Sequence, residues 1–169
     1  MNTIEQLQEE LDREATRSRR TLENMPEGKH DWKPHEKSMP FGYLAELVAI
    51  MPSWVTMVIG RDELDLNPPG GSQIPRVPLK TRADYVKRLD ETIAEAKQSL
   101  KGTSEDHLRT AWRLLVAGNE VARTSRYEMI RDTINHLAHH RGQMTVYLRL
   151  LGAPVPALYG PSADDKRFS

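Results

Sequence analysis

Residues 125–152 read SRYEMIRDTINHLAHHRGQMTVYLRLLG, and this stretch decides the fold. Ser125 with Glu128 spells a capping box, in which two side chains reciprocally satisfy backbone N–H groups that a helix start leaves unpaired. Ile130, Ile134, Leu137, Met144, Leu148 and Leu151 then recur at helical spacing. The pattern predicts one long helix from Ser125 to about Leu151. A helix with a single apolar stripe must bury it against other elements, so partners have to be found elsewhere in the chain.

Three further segments supply them. Thr3 and Gln6 form a plausible capping box, Ile4, Leu7, Leu11, Ala15 and Leu22 mark a stripe, and Pro26-Glu27-Gly28 ends it. A second helix is predicted from about Pro40 to Ile59, with Leu44, Leu47, Val48, Met51, Val55 and Val58 on one side. Pro52 lies inside it and predicts a kink. Thr81 opens a third, carried by Val86, Leu89, Ile93, Ala96 and Leu100 and stopped by Gly102. Between these, residues 29–38 read as a loop. Residues 60–80, with Pro68, Pro69, Gly70, Gly71, Pro75 and Pro78, read as a long surface crossover. Residues 103–124 read as irregular, with a short helix around 106–112 and a turn at Gly118-Asn119. No strand pattern is visible. The tail GAPVPALYGPSADD, from Gly152, should pack along the bundle through Val155, Leu158 and Tyr159. The expectation is an all-α four-helix bundle forming one domain over residues 1–169.

Composition narrows the function. Twenty-four Lys+Arg balance twenty-four Asp+Glu among the 169 residues, so there is no basic excess of the kind that nucleic-acid binding requires. The basic run Arg17 to Arg20, broken by Ser18, reads as a solvated helix face. Cysteine is absent, which excludes disulfides, thiolate nucleophiles and sulfur ligands. The acidic, amphipathic N-terminus does not resemble a signal peptide, and no apolar run spans a bilayer. These readings predict a cytoplasmic protein without a membrane or nucleic-acid partner.

The chemistry concentrates on the last helix. His136, His140, Gln143 and Tyr147 fall on one line at about 100° per residue, while His139 is turned a quarter-turn or more outward. Two imidazoles at i and i+4 can share one divalent ion. The zinc-protease motif needs Glu directly after its first histidine, and here Leu137 stands there, so that reading fails. Histidines beside a core also serve as hydrogen-bonded filler, and spacing alone leaves both readings open. A third ligand is needed, and Glu46 is the only carboxylate in LAELVAIM; it is either that ligand or a wet residue flanking the stripe. His30, His35 and His107 read as surface residues, and Trp32, Trp54 and Trp112 as packing.

The segment 136–164, HLAHHRGQMTVYLRLLGAPVPALYGPSAD, resembles the DinB/YfiT-like family of proposed metalloenzymes, as do PHEKSM at 34–39 and LAELVAIMPSW at 44–54. The resemblance implies an up-down-down-up four-helix bundle, often a homodimer, holding zinc or nickel through three histidines. It further implies a transferase or isomerase that uses a low-molecular-weight thiol, such as mycothiol or bacillithiol, on small electrophiles. The family's paired ligands fall on His136 and His140, and its third falls on Leu47, which cannot ligate. Two expectations follow. One is a metal-dependent, thiol S-transferase-like enzyme with His136, His140 and Glu46 as ligands. The other is a catalytically silent bundle, serving as a binding or structural module, whose metal is weak or absent. A homodimer is expected besides, because the first and fourth helices carry more apolar surface than one small bundle needs.

Overall fold

A computed structural model describes residues 2–71 and 79–167; Pro75 and Pro78 of the expected crossover lie outside the described residues. Helix α1 (Thr3–Glu23) begins with a capping box one residue earlier than expected. Asn2 is the cap, its side chain accepting the Glu5 N–H while the Glu5 carboxylate accepts the Asn2 N–H. The kink at Pro52 divides the second rod into α2 (Phe41–Ile50) and α3 (Pro52–Gly60), bent by 48°. Proline fits there because the first position of a helix has no N–H partner to lose.

Strand β1 (Glu63–Asp65) precedes α4 (Arg82–Lys101), which starts on a Thr81–Asp84 capping box and ends at Gly102. Helix α5 (Glu105–Arg109), β2 (Ala111–Val116) and β3 (Asn119–Ser125) follow, and then α6 (Arg126–Leu150), opened by the Ser125–Glu128 box. Its end is a Schellman closure: Gly152, at φ 70°, turns the chain so that its own N–H reaches Arg149 O and the Ala153 N–H reaches Leu148 O.

The expectation of an all-helical chain is corrected by a three-stranded sheet, in which β1 pairs parallel with β2 and β2 antiparallel with β3. Ala117 and Gly118, at φ 51° and 79°, make the two-residue left-handed turn of a hairpin. The Asp65 carboxylate accepts both of their N–H groups, at 2.9 and 2.7 Å. The strands escaped the sequence because they lack alternation. In β2 the buried residues are Trp112 and Leu115, three apart, the β2–β3 register shifts between Leu114 and Leu115, and most of β3 is exposed. Arg126, buried at the foot of α6, ties this sheet down by donating to Ala111 O at 2.9 Å and pairing with Asp62.

α1 packs on α4 and α6, and the α2–α3 rod packs on the same two helices from the other side. The apolar interior falls into two groups. One joins Leu22, Phe41, Leu44, Leu47, Leu137 and Met144; the other joins Leu11, Val55, Val58, Leu100, Trp112 and Ile134. α2 serves the first and most of α3 the second, while Trp54 of α3 packs on the first and Ile93 of α4 touches both. Among the described residues, no single helix is long and apolar enough to cross a membrane.

The tail packs along the bundle, as expected. Val155 rests on the first apolar group, and Asp165 pairs with Arg20 of α1. The Tyr159 hydroxyl is hydrogen-bonded to both Arg141 and Glu14. Arg141 is fully buried, and its guanidinium reaches the Glu14 carboxylate at 2.5 Å and Glu14 O at 3.2 Å. Burial alone would push the Glu14 carboxyl up. The Arg141 charge and hydrogen bonds from Arg141, Arg17 and Tyr159 outweigh it and hold the group below the ordinary carboxylate range.

Candidate functional site

The uninterrupted turns of α6 from Ile134 to Leu148 set the azimuth of every side chain in the histidine stretch. Leu137 and Met144 enter the apolar interior, and His136 and His140 emerge beside them. The two imidazole rings lie 4.5 Å apart between centroids, inclined by 35°. His140 is buried, whereas His136 is exposed on one side and faces Trp54 of α3 edge-on at 5.7 Å. Burial first, then the neighbouring His140 and His139, hold the His136 imidazole below its ordinary pKa, which favours the neutral ring. The Nδ1 of His140 is 2.8 Å from the Oε1 of Gln143.

His139 is exposed, as expected, yet its ring is not remote. It stands 5.2 Å from that of His140 and 6.4 Å from that of His136, so three imidazoles cluster where two were expected. Tyr147 continues the line but turns inward, donating its hydroxyl to Met39 O at 3.1 Å. The third donor is another matter. Leu47 is buried in the apolar group that holds Leu137 and Met144. Glu46 lies close enough to Tyr85 of α4 that its charge, after burial, helps push that phenol up to about 12. Among the described residues, no three His, Asp or Glu side chains gather to hold an ion. The donor set among the described residues therefore falls short of the three protein ligands that a divalent site usually takes.

The remaining histidines divide. His35 is exposed, accepting the Lys37 N–H at 3.1 Å. His107 is half-buried, with Nε2 2.9 Å from Ile59 O. His30 is corrected from surface to structural: its ring stacks on Tyr85 at 5.8 Å and its Nε2 is buried. Gly42 permits that approach, since a Cβ there would stand 3.1 Å from His30 Cβ and 3.2 Å from the Tyr85 hydroxyl.

Fold and site together define a mostly helical protein with a paired-imidazole centre on its last helix. The chain belongs to the DinB family, whose model matches residues 1–167. It is 33% identical over 89 residues to the protein YrdA of Bacillus subtilis, a match spanning 52% of this chain and 51% of that one, about half the relative's length. Two solved structures share the fold. One is the DinB-like protein YjoA of Bacillus subtilis, with a TM-score of 0.66, 15% identity, and 96% and 99% of the two chains covered. The other is a DinB-like protein of Bacillus cereus, with a TM-score of 0.67, 18% identity, and 92% and 97% covered.

Proposed function

We propose that this DinB-family chain is a binding module built on an imidazole pair, in which His136 and His140 take a divalent ion such as zinc or nickel weakly and reversibly. The observation that carries this reading is the 4.5 Å approach of the two rings, together with the burial of Leu47 in the apolar group, a hydrocarbon at the position where the family's third ligand falls. Two imidazoles alone leave most of an ion's coordination to water, so it exchanges readily. Calorimetric titration of untagged protein with zinc should give weak binding that disappears in His136→Ala. Tight one-to-one binding would overturn the reading and redirect attention to Glu46.

A second reading, a thiol-dependent transferase, is favoured by the neutral state of His136. A neutral imidazole can accept the proton of an incoming thiol while the sulfur displaces the leaving group of a small electrophile. Consumption of a low-molecular-weight thiol with an alkyl halide, lost in His136→Ala, is its test. The same proposal includes a cytoplasmic location, the up-down-down-up order of the four rods, and a homodimer. Val146 and Leu150, exposed on α6, support the homodimer, and sedimentation at micromolar concentration checks it.

A further inference from the structure

We propose that Gln143 is the positioning residue of the imidazole pair: by accepting the Nδ1–H of His140, it fixes which ring nitrogen presents a lone pair. The inference deepens the binding reading above and rests on it for its purpose, though not for its test. A neutral imidazole has one N–H and one lone pair, and the hydrogen bond made by one nitrogen decides the role of the other. Here Nδ1 stands 2.8 Å from an amide oxygen, which can only accept. The proton therefore resides on Nδ1, and Nε2 becomes the ring's sole acceptor. Without that oxygen the ring is free to take the opposite tautomer, in which Nε2 carries the proton and can neither ligate nor accept.

The spacing makes the device local. Gln143 follows His140 by three residues, so both side chains leave neighbouring turns of α6 on one face. Neither needs a partner from another helix. The pair thus keeps its preparation even though Leu47 offers no donor from α2. In metal sites, an outer hydrogen bond of this kind orients the ligating ring and affects affinity about 10–100-fold. Carboxylates and carbonyls are the usual acceptors; a glutamine oxygen serves the same purpose without adding charge.

The test is nitrogen-15 NMR of the histidine rings in metal-free protein at pH 8.5, with His140 assigned by its loss in His140→Gln. Wild type should show a protonated Nδ1 and an unprotonated Nε2 at His140. Gln143→Leu should move the ring toward the Nε2–H form, while Gln143→Glu, which keeps an acceptor oxygen, should restore the wild-type signature. Thermal melting verifies that both variants fold. Zinc titration then adds a second readout, with binding weakened about tenfold or more in Gln143→Leu. A wild-type His140 found as the Nε2–H tautomer would overturn the proposal, and so would an unchanged tautomer in Gln143→Leu. If the tautomers behave as stated but zinc does not bind wild type at all, the positioning role stands and the binding reading falls.

Discussion

On one side of α6, Arg141 is enclosed. A carboxylate, a backbone carbonyl and a tyrosine hydroxyl meet its guanidinium, and the folded-back tail closes over them. On the other side, one residue earlier in the chain, His140 has an amide partner and two imidazole neighbours, both of them open to solvent. The two sides carry different obligations. A buried guanidinium must have its charge answered, or the fold is lost. An imidazole meant to meet a ligand must keep a nitrogen unanswered. The HHRGQ segment thus joins a residue that holds the helix in place to residues left free to act.

Removing each side should separate these roles. The largest effect is expected for Arg141→Met, which takes the buried cation from Glu14 and leaves that carboxylate to Arg17 and Tyr159; chemical denaturation should show a loss of about 3 kcal/mol. His136→Ala, on the open side, should change stability by about 0.5 kcal/mol or less. Equal losses in the two variants would erase the distinction. Leu47→His sharpens it from the open side: a third imidazole should tighten zinc binding about tenfold or more, equivalent to about 1.4 kcal/mol, measured by calorimetry. No gain in affinity would mean that residue 47 does not face the pair.

Acid should act on the enclosed side. Glu14 has a folded-state pKa below its ordinary value of 4.5, so its contribution to stability is complete above that value. It is lost as pH falls through the lowered folded value, because protonation then removes the partner of Arg141. Denaturation curves measured downward from pH 5 should slope less steeply in Glu14→Gln than in wild type. On the enclosed side a smaller effect than that of Arg141→Met is expected for Tyr159→Phe, which removes one hydroxyl bridging Arg141 and Glu14 and should cost about 1 kcal/mol. A loss near that of Arg141→Met would show that the tail, rather than the ion pair, does the holding.

Much of this was legible in residue order. Three of the four rods announced their caps or stops, as at Ser125 with Glu128 and at Gly102, and Pro52 announced its bend. The imidazole pair was legible too, since i, i+4 spacing on a long helix leaves little choice of azimuth. The enclosed side was not read, although its trace was present. The apolar stripe of α6 skips from Leu137 to Met144, and Arg141 fills the gap; that of α1 holds only the small Ala15 between Leu11 and Leu22, and Glu14 and Ser18 are buried there instead. Two polar interruptions in buried stripes belong together when the stripes face each other, and only the packing of α1 on α6 brings them into contact. The sheet was hidden for a different reason, its burial pattern having no period of two. His139 is exposed as its azimuth indicated, and its ring still comes within 5.2 Å of that of His140 because an imidazole reaches across a quarter-turn offset.

The bend at Pro52 has a consequence for how the molecule comes apart. By sending α2 into one apolar group and most of α3 into the other, it leaves few side chains, Trp54 and Ile93 among them, to couple the two. The half around α3 is completed by α5 and the small sheet, short elements that lose their support together when α3 moves. Amide exchange should therefore reveal two cooperative units rather than one, with β2, α5 and α3 opening at lower free energy than α2 and the C-terminal turns of α6. The histidines lie where α6 passes from one unit to the other, so the pair would sit on the boundary of local unfolding, held from the more durable side.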